Sequence, residues 1–398
     1  MNILLVSSKY MPEYSGSGYR AHNLYKRLTA KHAEINVDVI TGSETENSCC
    51  DYIHEGFKVR RISCKPFPEL AGNFLRTLQI PLNFHAEHAA TARYMKEMAK
   101  PDIMHVFGKN YVTASALDFA RRNNIPAIIE LCNEMDTPLQ YIPRINRIEV
   151  SCKLPAKHMY VCISERLKAV CLKNGILEKN LWCRPNPVDE SRFSTVNESV
   201  KFALRRKLTP FTESDTVVSY IAKFNPKKNH SFLVEAIRRL PDNFKLFLGG
   251  PIVNSGPLVK RDSTLFRDLK KMIVDAGLSS RIHLESGFIK NIEQYYQMSD
   301  IYGFPTLSEG LGTPLLESIA CGLPVVANRI SGITDVWIKD GQNGYVSDLV
   351  PKLFAEKIMK ASEFSRDERK IQSENILNVA GTKVIDVKYH ELINGLCR

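Results

Sequence analysis

Short apolar runs alternate with longer amphipathic segments along the whole 398-residue chain. This alternation is typical of β–α units wound around a parallel sheet, because strands covered on both faces are apolar throughout. The pattern predicts strands at residues 3–7, 36–41, 58–62, 103–106, 127–131, 159–163, 217–221, 244–248, 282–284, 301–304 and 324–327. It predicts helices at residues 19–30, 86–98, 114–123, 165–173, 230–240, 265–276, 292–298 and 314–321. The expected fold class is therefore α/β.

The clearest break in this pattern is the sequence Arg-Pro-Asn-Pro-Val-Asp at residues 184–189. Its two prolines favour extended backbone and end regular structure. We therefore expect an N-terminal sheet domain over residues 1–185, a C-terminal one over 186–380 and a closing segment at 381–398. Ligands of doubly wound sheets bind at the carboxyl ends of the strands, so both domains would turn their loops towards a cleft.

Composition limits the kind of protein. An apolar content of 44% and a charged content of 24% are those of a soluble globular protein. Residues 1–6 lack the basic start and cleavage pattern of a signal peptide, and no apolar run is long enough to span a bilayer. Ten cysteines without a Cys-x-x-Cys pair indicate reduced thiols in the cytoplasm. The net charge of +11 favours anionic partners, but the basic residues form no dense stripe, which argues against nucleic acid.

Two glutamates, Glu309 and Glu317, flank a glycine turn that follows a predicted strand. Thr313 suits the N-cap of the next helix, Pro314 suits its first turn, and Gly322 suits the position after its end. The residues between the glutamates would offer free backbone N–H groups and a positive dipole end to a phosphate. These residues are Gly310, Leu311, Gly312 and Thr313. Two glutamates at this spacing are ordinary on a surface helix, but the preceding strand and the glycines favour a binding site.

The motif continues as Ala-Cys-Gly-Leu-Pro-Val-Val-Ala at residues 320–327. Together they resemble the nucleotide-sugar site of family 4 retaining glycosyltransferases, which have the GT-B fold of two Rossmann-like domains facing a central cleft. Residues 331–335 and 340–344 continue the resemblance, which covers nearly the whole chain and is strongest in its C-terminal half. It implies a donor site on the C-terminal domain, an acceptor site on the N-terminal domain, and a helix at residues 384–396 that packs back on the first domain.

The resemblance also assigns roles. Glu317 would hold the ribose hydroxyls, and Glu309 would lie beside the transferred sugar and stabilise oxocarbenium-like charge. Residues 217–230 match a family element in which an arginine and a lysine neutralise the diphosphate, with Lys223 and Lys228 at those positions. Lysine lacks the bidentate fork of arginine, so Lys223 is the weaker match. The alternative for both lysines is a solvated basic loop.

Other positions match the family less closely. Phe288 and Ile289 stand where the family backbone holds the nucleotide base, although a plain strand-to-helix turn explains them equally well. His105 matches the first of two histidines in a family strand, but a histidine within a strand is more often structural. Asn133 and Glu134 stand where many members have a histidine near the sugar, so either side chain would have to bind a sugar hydroxyl instead.

A glycine-containing loop precedes the first helix. Gly16 and Gly18 match loosely a family loop that closes over the donor phosphate. With Ala21 they also imitate the dinucleotide fingerprint of nicotinamide-dependent enzymes. That fingerprint should start directly after the strand, whereas residues 9–15 intervene here, and no acidic residue ends the second strand at Thr41. The sequence therefore keeps a Rossmann oxidoreductase as an alternative only.

The sequence contains no Asp-x-Asp pair and no group of histidines, cysteines and aspartates at metal spacing. We therefore expect neither a required metal nor a cofactor besides the nucleotide-diphosphate sugar, because basic side chains and the helix terminus would hold the diphosphate. The resemblance implies retaining sugar transfer to a glycan, lipid-linked or small-molecule acceptor in cell-surface polysaccharide synthesis. A catalytically inactive GT-B partner subunit is a further alternative.

An apolar segment at residues 67–82 follows several basic residues. Such a segment predicts either a helix packed on its own sheet, which we favour, or a contact with an anionic membrane surface. In the second case the protein would be cytoplasmic but peripheral on the inner face of the plasma membrane.

Overall fold

The computed structural model describes residues 1–13, 15–43, 49–63, 73–131, 155–252 and 259–398, without the side chains of residues 73–81, 83 and 84. The chain divides into two compact units. The first unit comprises Met1–Arg184 and Asp386–Arg398, and the second comprises Pro185–Ile385. The predicted break at residues 184–189 includes Pro185, where the second unit begins.

The described part of the first unit forms a sheet of eight strands in the order β3-β4-β2-β1-β5-β6-β7-β8. The strands are β1 (Asn2–Ser7), β2 (Asn36–Ser43), β3 (Cys50–His54), β4 (Phe57–Ser63), β5 (Ile103–Phe107), β6 (Ala127–Leu131), β7 (His158–Cys162) and β8 (Leu181–Cys183). The helices are α1 (Gly16–Lys31), α2 (Asn73–Glu97), α3 (Tyr111–Arg122) and α4 (Glu165–Lys173). All neighbouring strands pair in parallel except β3, which runs antiparallel to β4.

The described part of the second unit forms a parallel sheet in the order β11-β10-β9-β12-β13-β14. Its strands are β9 (Thr216–Ile221), β10 (Phe244–Gly250), β11 (Ile282–Ser286), β12 (Ile301–Phe304), β13 (Val325–Asn328) and β14 (Gly344–Ser347). Its helices are α5 (Glu198–Leu208), α6 (His230–Ile237), α7 (Val259–Asp275), α8 (Ile292–Gln297), α9 (Thr313–Ala320), α10 (Thr334–Trp337), α11 (Pro351–Ser362) and α12 (Arg366–Ala380). The strand order reverses between β9 and β12, which is the switch point of a Rossmann sheet.

Helix α9 follows from its sequence almost as predicted. Leu315, Leu316 and Ile319 are buried along one face. Gly322 ends the helix at a φ of +80°, as the sequence indicated, because a left-handed residue lets the following N–H groups reach the last carbonyls. The predicted start is wrong by one residue. Gly312 is the N-cap, at a φ of +77°, so Thr313 already belongs to the helix.

A last helix, α13 (Thr382–Cys397), carries the residues of the predicted closing helix, and from Asp386 onward it belongs to the first unit. Asp386 is buried and accepts two hydrogen bonds of 2.9 Å from Arg27 on α1. Tyr389 donates its hydroxyl to the buried carboxylate of Glu130 on β6. Arg184 donates to the same carboxylate at 2.8 Å and so compensates its charge. Side chains distant in sequence thus join α13 to the first sheet.

The segment predicted to contact either its own sheet or a membrane lies partly outside the described residues. Residues 67–72 are not among them, and α2 begins at Asn73, earlier than the predicted start at residue 86. Leu82 within α2 is exposed. Among the described helices, none combines the length and the apolar character needed to cross a bilayer.

Candidate functional site

Two loops meet at the switch point of the second sheet. One follows β9 and the other follows β12. The backbone N–H of Leu307 and the hydroxyl of Thr306 both donate to the carbonyl of Lys227, at 2.8 and 3.1 Å. These bonds hold the two loops together at the carboxyl ends of adjacent strands, where ligands of such sheets bind.

Lys228 and Glu309 meet across these loops. The Lys228 Nζ lies 2.6 Å from Oε2 of Glu309, and Oε1 of the same carboxylate accepts the N–H of Gly310 at 3.0 Å. The Lys228 backbone is also held, because its N–H donates to the Asn225 side chain and its carbonyl accepts the Tyr220 hydroxyl. Both charged side chains remain about one-fifth exposed, at 23% and 20%. The structure thus places a cation and a carboxylate side by side, accessible to a ligand.

The start of α9 offers hydrogen-bond donors beside this pair. Among the described residues, none accepts a hydrogen bond from the N–H groups of Leu311, Gly312 and Thr313. A Cβ atom added to Gly310 would meet nothing within 4 Å, so the space beside the loop is open. The Thr313 hydroxyl accepts from the Asn186 side chain at 2.9 Å, which fixes the first turn. Unpaired N–H groups at the positive end of a helix suit an anion.

Glu317 lies in the second turn of α9. Burial raises its pKa from 4.5 to about 7, although the Arg192 guanidinium opposes this shift. Arg192 also forms an ion pair of 2.6 Å with Glu293. Burial raises the pKa of Tyr302, and Glu317 and Glu309 both raise it further, so both carboxylates act on one buried hydroxyl. A carboxyl group with so perturbed a pKa is typical of a functional site.

The remaining residues of the second unit that were predicted to bind the nucleotide-sugar donor differ in exposure. Lys223 is exposed, and its side chain has no hydrogen bond or ion pair within the described part of the chain. Phe288, after β11, is 76% exposed. Ile289 packs inward, since a Cβ atom on Gly249 would lie 2.8 Å from its Cδ1. The structure therefore joins Lys228 to Glu309 but leaves the side chains of Lys223 and Phe288 exposed.

The predicted glycines of the first unit lie in the first turn of α1. Ser15 is the N-cap and accepts the N–H of Gly18 at 3.0 Å. A Cβ atom on Gly18 would lie 2.3 Å from the carbonyl oxygen of Lys9, so only glycine fits there. A Cβ atom on Gly16 would meet nothing within 4 Å. Gly18 is therefore needed for packing, whereas Gly16 borders open space.

His105 is fully buried at 0% exposure. Its Nδ1 shares a 2.7 Å hydrogen bond with the Tyr25 hydroxyl, and its Nε2 lies 3.1 Å from Oε1 of Glu130. Burial lowers the pKa of His105, so the ring is neutral near pH 7. These contacts are those of a structural residue, as is more often the case for a histidine within a strand. Asn133 and Glu134, the other predicted sugar contacts, lie outside the described residues.

Two residues that help to shape this site, Arg192 and His230, were not among the predicted site residues. Arg192 follows the break at residues 184–189, and no recognisable sequence motif surrounds it. His230 starts α6, and its buried ring bonds the carbonyl of Ala222 at 3.3 Å, which closes the loop that carries Lys228. Burial lowers the pKa of His230 to about 3, so this support is neutral at ordinary pH. Only the position of His230 at the end of a basic loop could have drawn attention to it.

The chain is similar to known proteins in sequence over its second unit and in fold over nearly its whole length. The model of the family described as "Glycosyl transferases group 1" matches residues 202–378, all within the second unit. A crystal structure of Anabaena Alr3699/HepE in complex with UDP superposes with a TM-score of 0.73 at 15% identity, covering 99% of this chain and 100% of that one. The fold is GT-B. The sucrose-phosphate synthase of Thermosynechococcus elongatus shares it, with a TM-score of 0.71 at 17% identity over 99% and 98% of the two chains.

Curated relatives of this GT-B chain match over shorter stretches. The D-inositol 3-phosphate glycosyltransferase of Mycobacterium sp. (strain KMS) is 28% identical over 184 residues, 44% of this chain and 40% of that protein. The UDP-Gal:alpha-D-GlcNAc-diphosphoundecaprenol alpha-1,3-galactosyltransferase of Escherichia coli is 25% identical over 191 residues, 48% of this chain and 47% of that protein. The chain thus spans less than half the length of these relatives.

Proposed function

We propose that the protein is a retaining glycosyltransferase that uses a nucleotide-diphosphate sugar. The observation that carries this proposal is the Lys228–Glu309 pair of 2.6 Å at the switch point of a GT-B sheet. Beside it lie the N–H groups of Leu311, Gly312 and Thr313, which have no acceptor among the described residues. The family match over residues 202–378 supports it, because that segment contains all of these groups.

The diphosphate would bind at the start of α9. The N–H groups of Leu311, Gly312 and Thr313 would donate to its oxygens, and Lys228 would turn from Glu309 to the phosphate as negative charge develops there. Preorganised donors of this kind stabilise charge in the transition state without reorganising. The exposed Lys223 would add a second cation. We propose that this arrangement needs no metal ion and no further cofactor.

The two glutamates would have separate roles. Glu317 would accept hydrogen bonds from the ribose hydroxyls, which are present in both the donor and the product nucleotide. Glu309 would lie beside the transferred sugar, where positive charge rises only in the transition state. Phe288 would stack on the nucleotide base, with the backbone of Ile289 beside it. For a retaining transfer, we propose that the leaving phosphate accepts the proton of the acceptor hydroxyl.

The acceptor would be a glycan, a lipid-linked sugar or a small molecule in cell-surface polysaccharide synthesis in the cytoplasm. The Escherichia coli relative is named as a galactosyltransferase acting on a diphosphoundecaprenol-linked sugar, which supports the lipid-linked class. A lipid-linked acceptor would bring the protein to the inner face of the plasma membrane.

The test is turnover of nucleotide-diphosphate sugars by purified protein. A thermal-shift screen of nucleotide diphosphates and their sugars would identify the donor, and release of nucleotide diphosphate would then report transfer or hydrolysis. Glu309→Gln keeps the shape of the side chain and should lower kcat by about a hundredfold or more. Nuclear magnetic resonance of the product would show whether the anomeric configuration is retained.

Two outcomes would refute the proposal. A folded Glu309→Gln variant with normal turnover would remove the carboxylate from the mechanism. A wild-type protein that binds donors without turning any over would indicate an inactive GT-B subunit. Enhanced NADH fluorescence on binding would instead support the oxidoreductase alternative at Gly16 and Gly18.

A further inference from the structure

The hairpin β3–β4 carries two potential metal ligands at its tip. Strand β3 pairs with β4 so that His54 lies opposite Phe57, which leaves Glu55 and Gly56 as a two-residue loop. Both loop residues have positive φ, 45° and 90°, as in a type I′ turn. This turn holds Glu55 close to His22 on α1.

His22, His54 and Glu55 converge. One ligand atom from each residue lies within 4.8 Å of the other two. The His22 Nε2 is 3.2 Å from Oε2 of Glu55, and the rings of His22 and His54 are inclined by 60° with centroids 5.0 Å apart. Zinc bonds of about 2.0–2.1 Å place two ligands of a tetrahedron about 3.3 Å apart. The carboxylate and the first imidazole are therefore already at a suitable separation.

The second ring nitrogen of His22 has a hydrogen-bond partner. The Tyr10 hydroxyl lies 2.7 Å from Nδ1 of His22, and both residues are buried. Such a hydrogen bond to the second ring nitrogen orients a ligating histidine and fixes its tautomer.

Lys26 is the group that competes with a cation. Its Nζ lies 2.6 Å from Oε2 of Glu55. Lys26 is 58% exposed, so its side chain can move into solvent when a metal ion takes its place.

We propose that His22, His54 and Glu55 bind a divalent transition-metal ion of the zinc type, with water in the fourth position. Two imidazoles and one carboxylate suit zinc, whereas magnesium prefers oxygen ligands in an octahedron. The ion would fasten the hairpin to α1. Through Tyr10 it would also stiffen residues 8–13, which follow β1. The site lies in the first unit, and its existence does not depend on the proposed transfer reaction.

A second group of the same composition provides an internal control. His32, Glu34 and His390 also lie close together. Their two imidazoles are stacked, with centroids 3.7 Å apart and planes inclined by only 12°. Ring lone pairs lie in the ring planes, so two parallel rings cannot direct theirs to one ion. We therefore expect zinc to bind at His54 and not at His390.

The experiment uses the untagged full chain, stripped with a chelator and titrated with Zn²⁺ against a chromophoric zinc indicator. His54→Ala should weaken binding by at least about a hundredfold, and Tyr10→Phe by about 10–100-fold. Lys26→Met should tighten binding because it removes the competing ammonium. His390→Ala and titration of the wild type with Mg²⁺ are the controls, with unchanged zinc affinity and no binding expected.

Glu55→Asn provides a second ligand variant, because asparagine tolerates positive φ while the carboxylate is lost. It should also weaken zinc binding, and thermal melting without metal would show that each variant is folded. Absence of zinc binding by the wild type would overturn the proposal. The proposal would also be overturned if zinc binding persisted in the folded His54→Ala and Glu55→Asn variants. Loss of zinc binding in His390→Ala would overturn it too.

Discussion

Glu317 should destabilise the folded protein at alkaline pH. Its pKa rises from 4.5 to about 7 on folding, because burial disfavours the charged carboxylate. A raised pKa means that the folded state binds the proton more tightly than the unfolded state. The resulting stability is fully present below about pH 4.5 and is lost as the pH rises through about 7. At about 1.4 kcal/mol per pKa unit, the shift corresponds to about 3 kcal/mol at most.

The Glu317→Gln substitution keeps the size of the side chain and removes its charge. Because Arg192 can relax towards the carboxylate, we expect the variant to be about 1–3 kcal/mol more stable than the wild type at pH 8. The difference should shrink to below about 1 kcal/mol at pH 5, where the folded wild type is mostly protonated. Urea unfolding at both pH values measures it. Glu356→Gln, at an exposed position of α11, is the matched control and should leave the pH dependence unchanged.

The same variant should bind nucleotide diphosphate more weakly, because the ribose loses its carboxylate acceptor. Greater stability combined with weaker binding would identify Glu317 as a residue kept for function at a cost in stability. A Glu317→Gln variant that is less stable than the wild type at pH 8 would refute the reasoning, since the charged carboxylate would then be stabilising the fold.

Four further outcomes follow from the site. Lys228→Ala should weaken nucleotide-diphosphate binding and turnover by about tenfold or more, while Lys227→Ala should leave both within about twofold; calorimetry and steady-state kinetics would test this. Glu309→Gln should tighten nucleotide-diphosphate binding by about 1.4–5-fold, because Lys228 no longer has to leave a partly exposed ion pair of about 0.2–1 kcal/mol; calorimetry showing weaker binding would contradict this. Gly312→Ala should lower the free energy of unfolding by about 1–3 kcal/mol, because its φ is +77° and the new Cβ would lie 2.8 Å from Cδ1 of Leu315; urea unfolding would measure it. Turnover should survive EDTA, and complete loss restored by magnesium or manganese would show that the transfer needs a metal.

The α/β fold could be predicted because the central strands are apolar throughout. β6 and β12 have the predicted bounds, since each is buried along its whole length. β3 escaped prediction because it alternates exposed and half-buried residues and is followed by Glu55-Gly56 rather than by a common turn pair. α5 was missed because its buried side chain is Arg205, whose guanidinium bonds backbone carbonyls instead of forming an apolar stripe.

The candidate site was predicted in part. The sequence predicted backbone conformation well where a glycine or proline restricts the chain, as at Gly322 after the end of α9. The start of α9 was placed one residue late because Thr313 is a better N-cap by side-chain chemistry, whereas Gly312 is the residue that adopts the left-handed conformation. Contacts between separate loops, such as Lys228 with Glu309, require the strand order and cannot be deduced from spacing. The pKa of Glu317 depends on burial by residues scattered along the chain, so no local pattern encodes it.

The hydrogen-bond partners of the buried Glu130 carboxylate are synthesised at different times. Its partner Arg184 precedes the second unit in the chain, but its partner Tyr389 follows that unit. A ribosome therefore synthesises all of Pro185–Ile385 before the first unit receives its last helix. Until then Glu130 lacks one of its buried hydrogen bonds, and Arg27 lacks the carboxylate of Asp386. The first unit is thus completed only after the whole second unit has been synthesised.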